Sequence, residues 1–366
     1  MMRLWWNQIK AVIRLEMKKT FFAKRGLWIY LLALMPLVLW VGHAIDTSYR
    51  EKARLHLASE NEKRLTREDL AAIKTGMTSE DLVQRLGKSP EVATWNERRP
   101  TAPKVFEQVV HESDRYTDGE RDLYVFLENG KVTGVALGEG DNLGEDSMVF
   151  AGVFQFFYLR LAIFFGCLGI FMNLFRGELL DKSLHFYFLA PLRREVLMVG
   201  KYLAGLLAAA VIFTTSEALQ IVVFAWHLDP NVLSNYVYHG HGIAHAAAYL
   251  GITVLACVGY GSLFLAAGVL FRNPIFPAAG ILLWEAINPF LPVVLQKFSV
   301  IYYLKALCPV AIPVAPGTSP ILALFVSNAE PIGASVAILG VLFVSSLILF
   351  LSGFQVRRMQ IDYTTE

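Results

Sequence analysis

Three ionisable residues lie deep inside apolar runs of the sequence. Arg160, Glu217 and Glu285 are each roughly 20–24 Å of helix away from the nearest basic residue at the end of their run, at ~1.5 Å per residue. An isolated charge at such a depth in a membrane costs at least ~3 kcal/mol. We therefore predict that Arg160 forms an ion pair with Glu217 or Glu285, which either fixes helix packing or belongs to a substrate path or gate.

A short polar stretch, residues 176–196, separates two long apolar runs. Basic residues lie close to the ends of both runs, which is typical of a cytosolic loop; they are Arg176, Lys182, Arg193, Arg194 and Lys201. The first half of the loop can form an amphipathic helix that Pro191 interrupts. Glu178, Asp181 and His185 would project from it, as a solvated face beside lipid headgroups or as a docking surface for a cytosolic motor.

Other polar clusters do not complete a catalytic or metal-binding set. His241 and His245 share a helix face and could bind a metal with His239, but no Cys or carboxylate lies nearby in sequence, so we interpret them as interfacial histidines. Gly87-Lys88-Ser89 is no phosphate-binding loop, because a helical leucine occupies the position of the required first glycine. No HExxH motif or paired intramembrane aspartates occur. We expect no catalytic residue and no metal.

Composition places these residues in a membrane protein. The chain has 366 residues, of which 55% are hydrophobic, and a mean hydropathy of +0.46. Six apolar runs can each cross ~30 Å of hydrocarbon; they cover residues 27–45, 148–175, 196–226, 242–271, 275–295 and 331–354. Basic residues flank the N-terminal, 176–196 and C-terminal segments. The expected fold is a membrane all-α bundle of six transmembrane helices with both termini cytosolic.

Two segments are predicted to lie along the membrane rather than across it. Residues 1–26 carry apolar side chains at helical spacing opposite polar ones, with Trp5 and Trp6 favouring a lipid interface, so we expect a cytosolic interfacial amphipathic helix. Residues 298–330 are moderately apolar but are interrupted by several prolines. We expect short broken helices there, on the outer side.

Residues 46–147 form the one sizeable soluble module that the sequence predicts. Residues 46–148 hold 15 Lys/Arg against 21 Asp/Glu, whereas the rest of the chain is basic. Two short helices are expected, over 65–74 and 80–86, the second capped by Thr78 or Ser79 and ended by Gly87. Alternation over 122–128, the turn Asn129-Gly130 and residues 131–137 predict a hairpin. The module is therefore a small extracytoplasmic α+β domain.

The run from "IKTGMTSEDLVQRLGKSP" to "LYVFLENGKVTGV" in this module resembles the SmpA/BamE-like lipoproteins of outer-membrane assembly. The resemblance covers about 70 residues, through the Gly-Met-Thr start, the Leu-Gly-Lys-Ser-Pro helix end and the Asn-Gly-Lys hairpin. It implies a binding fold rather than a catalyst, and contact with an envelope protein.

The rest of the chain resembles the permeases of type-2 ABC exporters (ABC-2). The resemblance lies in the interfacial leader, the six spans, the outer broken helices and the coupling loop 176–196, which has an acidic start, a short helix, a proline with basic residues, and then Gly200-Lys201. The segment Lys182-Ser183-Leu184-His185 departs from that pattern. Glu178, Asp181, His185, Arg193 and Arg194 would form the ATPase-coupling residues.

This resemblance implies a permease subunit in the bacterial cytoplasmic (inner) membrane, beside a second permease copy as a homodimer or with a related permease. ATP and Mg would be bound by a separate cytosolic ABC ATPase, and no cofactor by this chain. The alternative is a non-transporting scaffold or envelope-assembly factor whose outer domain binds a partner. The basic residues are spread over several loops, so we expect contact with membrane lipid and no nucleic acid.

Overall fold

A computed structural model of the protein describes residues 2–22, 26–102, 105–139, 143–180, 193–271, 275–312 and 332–358. The chain forms two compact units. The bundle unit comprises Met1–Trp40, Gly144–Trp226 and Pro230–Glu366, and the domain unit comprises Val41–Leu143 and His227–Asp229.

The bundle unit is helical. Its helices are α1 (Met2–Phe22), α2 (Leu27–Glu60, which continues into the domain unit), α5 (Leu143–Gly152), α6 (Phe164–Leu180), α7 (Arg194–Trp226), α8 (Pro230–Tyr238), α9 (Gly242–Leu270), α10 (Ile275–Ile287), α11 (Val293–Gln296), α12 (Val300–Leu307) and α13 (Ala334–Arg358). A π-helix (Val153–Ile163) joins α5 to α6, and a 3₁₀ turn (Asn288–Phe290) follows α10. The predicted mainly helical fold is confirmed.

Five helices in the described part of the chain are long and apolar enough to cross a membrane. They are Leu27–Glu60, Leu143–Phe175, Arg194–Trp226, Gly242–Leu270 and Ala334–Arg358. Four match predicted spans closely, whereas the first does not end at the predicted residue 45 but continues to Glu60. Pro36 lies within this helix, where a proline is tolerated if neighbouring groups satisfy the backbone.

The predicted span over residues 275–295 is not a single long helix. Helix α10 has 13 residues, roughly 20 Å at ~1.5 Å per residue, which is short of a ~30 Å hydrocarbon layer. It ends at the 3₁₀ turn that contains Pro289, and Pro292 precedes α11. Because proline removes a backbone donor and clashes with the preceding turn, the apolar run cannot continue as one helix. Composition alone does not reveal this break.

Contacts between helix ends define the direction of the chain. Helix α1 packs against the first turns of α7, and we call this end of the bundle the α1 end. The Arg194 guanidinium, at the start of α7, donates to the carbonyl of Arg357 at the end of α13 over 3.0 Å. Gly268, near the end of α9, lies against the backbone of Met172 in the same region. Helices α9 and α13 therefore both end at the α1 end.

The domain unit contains two short helices, α3 (Arg67–Ala71) and α4 (Ser79–Leu86), and four strands. The strands are β1 (Glu91–Ala102), β2 (Val105–Thr117), β3 (Arg121–Glu128) and β4 (Lys131–Glu139), paired antiparallel in the order β1-β2-β3-β4. The core lies between the helices and one face of the sheet, where Leu82, Tyr116 and Val125 are fully buried. The predicted antiparallel sheet with short helices is confirmed.

Local sequence signals explain the helix start and the hairpin of this domain. Thr78 caps α4 and its hydroxyl accepts from the amide of Asp81, whose carboxylate accepts from Thr78 in return. Asn129 and Gly130 have φ angles of 48° and 79°, as the mirror-image hairpin turn requires. The cap, the helix end at Gly87 and the turn all match the sequence prediction. The predicted 65–74 helix is shorter, because Thr66 caps it at Arg67.

A buried carboxyl group lies on the core face of the sheet. Asp114 is 5% exposed and stands opposite Val125 in the register of β2 and β3. Burial raises the pKa of Asp114 to about 6, and the neighbouring charge of Glu112 acts in the same direction. The unfolded group ionises near 3.8, so folding favours the protonated form. The contribution of Asp114 to the stability of the domain is therefore greatest below pH 3.8, and it declines as the pH rises through about 6.

We predict that Asp114→Asn removes this decline. Relative to the wild type, the variant gains about 2–3 kcal/mol of domain stability at pH 7.5 and less than about 1 kcal/mol at pH 4, because only the wild type carries a buried charge at the higher pH. Hydrogen exchange of the β2 and β3 amides in the full chain in micelles, between pH 4 and 7.5, measures the difference.

The control is Asp81→Asn in the capping box of α4. Hydrogen bonds from Thr78 lower the pKa of Asp81, so its contribution is present at neutral pH and is lost as pH falls below the unfolded value. This variant should therefore weaken protection at pH 7.5. Equal protection of the Asp114→Asn variant and the wild type at every pH would contradict the assignment of a costly charge to Asp114.

Candidate coupling site and buried polar residues

Helix α1 is held against α7 by close packing between Val12 and Gly200. Val12 is 6% exposed, and a Cβ atom placed on Gly200 would lie 2.9 Å from the Val12 Cβ. Such small residues let helix backbones approach closely in membrane proteins. Gly200 is therefore a contact position that admits no side chain while Val12 is in place.

A buried ion pair lies one turn further along this contact. The Lys201 Nζ atom is 2.8 Å from Glu16 Oε1 and also donates to the Leu174 carbonyl over 2.8 Å. The two side chains are 0% and 3% exposed. The Lys201 ammonium also lies over the ring of Phe175, at 5.5 Å from its centroid. Three helices, α1, α6 and α7, thus meet at one charged pair.

The two arginines predicted to face an ATPase contact the bundle itself. The Arg193 guanidinium lies over the Trp5 ring of α1, at 5.1 Å from its centroid. Arg194 donates to the Arg357 carbonyl, and the Arg357 side chain pairs with Glu195. These contacts join the start of α7 to α1 and to the end of α13. A docking role for Arg193 and Arg194 stays a prediction.

The acidic half of the coupling loop falls largely outside the described residues. Glu178 lies within α6 and its side chain is not described, and Asp181 and His185 lie in the range 181–192, outside the description. The same holds for most of the segment 298–330, where α12 and the turn up to residue 312 are described. The predicted roles of these residues stay predictions.

Of the three intramembrane charges, the structure brings two together. Arg160 lies in the π-helix within Coulombic range of Glu285, and its guanidinium is 5.4 Å from the Phe156 ring centroid. The Glu285 carboxylate accepts from the Ser299 hydroxyl at 2.8 Å and from the amides of Val300 at 3.1 Å and Ile301 at 3.0 Å. It therefore caps the N-terminus of α12, where a negative charge is favourable.

Glu217 has a different environment. It lies in α7, is fully buried, and neither carboxyl oxygen has a hydrogen-bond partner among the described residues. Its carboxyl group is in electrostatic contact with the hydroxyl groups of Tyr158 and Tyr249. Of the two predicted partners of Arg160, Glu285 is therefore the one within Coulombic range. Glu217 is a separate buried acid.

The histidines at the start of α9 make contacts within their own region. The Tyr236 hydroxyl is 2.8 Å from His245 Nδ1, and the rings of His241 and His245 stack with centroids 6.0 Å apart. One nitrogen of His245 is thus engaged by a tyrosine of α8.

Sequence reasoning missed the pair of Glu16 and Lys201. The signal for it was present, because Glu16 follows Val12 by four residues and so lies on the apolar face of α1. From the sequence, Lys201 is interpreted only as a basic residue at the cytosolic end of an apolar run. Only the packing of α1 on α7 shows that both charges are enclosed.

Comparisons of the chain with models of protein families, with curated proteins and with solved structures found no match.

The contact between Val12 and Gly200 can be tested by substitution. We predict that Gly200→Val lowers the thermal unfolding midpoint of the full chain in detergent, because the added side chain overlaps Val12 and costs about 1–3 kcal/mol. Adding Val12→Gly, which removes the Val12 Cβ atom and both methyl groups, should restore part of the loss.

The matched control is Gly251→Val in α9, where nothing lies within 4 Å of the added Cβ. Both positions are helical glycines, so the propensity change is the same at each. Equal unfolding midpoints of the two single variants would exclude a close approach of α1 to Gly200.

Proposed function

We propose that the chain is the membrane-spanning permease subunit of an ATP-driven exporter of the type-2 ABC class. It moves a substrate across the bacterial cytoplasmic membrane, and the hydrolysis of ATP takes place on a separate cytosolic subunit that binds ATP and Mg. This chain supplies the path for the substrate and the surface to which the ATPase binds.

The observation that carries the proposal is the set of bonds at the α1 end. In the sequence, residues 181–192 connect the end of α6 to the start of α7. At this point Lys201 joins α6 and α7 to α1, and Arg194 joins α7 to α13. A displacement applied to the loop would therefore reach four helices together. A transporter driven by an external motor needs such a connection.

The finer topology belongs to the same proposal. The chain crosses the membrane six times, and the part that includes α10, α11 and α12 provides the crossing that none of the five long helices of the described residues makes. The termini and the loop 176–196 lie in the cytosol, α1 lies at the inner lipid interface, and the 46–147 domain lies outside. The basic residues around the loop support this orientation. A second permease copy completes the path at a dimer interface.

One observation favours the alternative, a scaffold or envelope-assembly factor. On the sheet face of the domain opposite its core, Trp95 is 48% exposed and stacks on His111, with ring centroids 5.3 Å apart. Glu97 and Glu128 flank the imidazole. An exposed aromatic residue among charges suits a protein partner. A permease could carry such a surface too. Binding of an ATPase is therefore the property that distinguishes the two functions.

The test is purification of the tagged full chain from mild detergent, with ATPase activity measured on the proteins that copurify. We predict that a protein with Walker motifs copurifies with the wild type. The amount of this protein that copurifies should fall at least about tenfold in the double variant Glu178→Ala/Asp181→Ala. The reason is that residues that anchor an interface contribute more than about 1 kcal/mol each to binding.

The matched control is Glu51→Ala/Glu60→Ala, which removes two exposed acids from α2 in the domain unit. It should retain the ATPase. If no ATPase copurifies with the wild type, or if the loop variant retains as much as the control, the exporter function is excluded. Loss of an envelope protein on Trp95→Ala would then support the scaffold.

A further inference from the structure

Strand β1 is an open edge of the sheet in the domain unit. It has 12 residues, and among the described strands it pairs with β2 alone. Residues 91–97 of β1 are all exposed. At the opposite edge, the start of β4 is covered, because Val132 exchanges backbone hydrogen bonds with Gly76 and Met77. Edge strands such as β1 present a row of backbone groups on which another strand can pair.

The second half of β1 belongs to a two-stranded arm. Residues 96–102 of β1 pair with residues 105–110 of β2, whereas the pairing of β2 with β3 begins only at His111. A two-stranded ribbon is marginally stable at best in water, and three or more strands are needed for a stable sheet. The arm is therefore the part of the sheet that gains most from another strand along β1.

The sequence of β1 is self-complementary about Trp95. Pro90 and Pro100 each lie five residues from Trp95, and Glu91 and Arg99 each lie four residues from it. In an antiparallel pair of β1 strands centred on Trp95, Glu91 of each copy stands opposite Arg99 of the other. The prolines, which cannot donate to a ladder, stand opposite each other at the two ends. Charges and prolines usually protect an edge from pairing, but in this register the charges attract.

Other registers of the same pairing are less favourable. Centring the pair on Thr94 places Glu91 opposite Glu97, and centring it on Glu97 places two glutamates opposite each other. Like charges directly opposite destabilise a sheet. Centring the pair on Asn96 leaves Glu91 without an opposite charge. The register centred on Trp95 also sets two tryptophans side by side, and aromatic cross-strand pairs are stabilising.

We propose that the domain units of two copies of this chain join edge to edge, through antiparallel pairing of β1 with β1 centred on Trp95. The result is a continuous sheet with four strands from each copy. The Trp95 rings meet on the sheet face that carries His111. Glu91 keeps its bond to Arg115 of its own chain, at 3.0 Å, and gains Arg99 of the second copy. This contact does not rest on the exporter function, because it involves the domain unit alone.

Disulfide cross-linking of the full chain in mild detergent tests the register. Ala93 stands opposite Glu97 of the second copy, at a Cα separation of about 5 Å that a disulfide can bridge, whereas identical positions are roughly 13 Å apart. Differently tagged Ala93→Cys and Glu97→Cys chains are produced together and oxidised with copper phenanthroline. We expect the mixture to give at least about tenfold more cross-linked pairs than either chain alone, because only unlike chains bring two cysteines within reach.

Two controls set the background of this experiment. The wild type reports cross-links through the three native cysteines, all of which belong to the bundle unit. A mixture of Thr133→Cys and Leu137→Cys chains places exposed cysteines at the same spacing on β4, at the other edge of the sheet. We expect no cross-linking above background in either control.

A charge reversal measures the contribution of the ion pair. Added to both chains of the cross-linking mixture, Arg99→Glu should lower the yield at low protein concentration by about fivefold, because it places two glutamates opposite each other at both ends of the pairing. The matched control is Arg98→Glu, which changes the charge equally but stands opposite Val92. It should retain the yield of the unmodified mixture.

Three results would overturn the proposal. They are a mixture that cross-links no more than the separate chains, equal cross-linking of the pair on β4, and equal losses in Arg99→Glu and Arg98→Glu. If the first mixture does not fold, Thr94→Cys with Asn96→Cys repeats the test on the other face of the strand, where the same register sets these residues opposite each other. None of these results bears on the exporter function, which copurification of the ATPase decides.

Discussion

The ion pair of Glu16 and Lys201 is the constraint on which the α1 end of the bundle depends. Both groups are enclosed, so each is stable only in the presence of the other, and removing one leaves a buried charge at a cost of about 3–5 kcal/mol. The pair also sets the register of α1 on α7, which places Val12 against Gly200 and Trp5 under Arg193. Helix α1 is therefore part of the bundle, and the lipid contact that the sequence predicts for it can involve only its other side.

The buried acids of the bundle fall into three different environments. Glu16 is neutralised by a lysine of another helix, and Glu285 caps α12 within range of Arg160. Other residues of the protein stabilise both of these carboxylates, so their retention has a structural explanation. Glu217 has no such partner among the described residues. A buried acid without a partner is a functional candidate, since nothing in the packing of the described residues explains its retention.

The sequence predicted those features that local chemistry determines. Apolar length identified the five long helices, and the Thr78 cap, Gly87 and Asn129-Gly130 identified α4 and the hairpin. It did not predict strands β1 and β2, in which charged residues obscure the alternation, nor the break after α10, where proline overrides an apolar run. The partners of Arg160 and Lys201 depend on which helices become neighbours. Periodicity within one helix contains no information about that choice, so these contacts required the tertiary structure.

A double-mutant cycle on Glu16 and Lys201 tests the central claim most directly. Unfolding of the full chain would be measured in mixed micelles for the wild type, Glu16→Gln, Lys201→Met and the double variant. The account predicts a coupling free energy of about 2–3 kcal/mol, with the double variant more stable than Lys201→Met alone, because no charge is then left buried. Costs that add to within about 0.5 kcal/mol would contradict it, since they would mean that the two groups do not depend on each other.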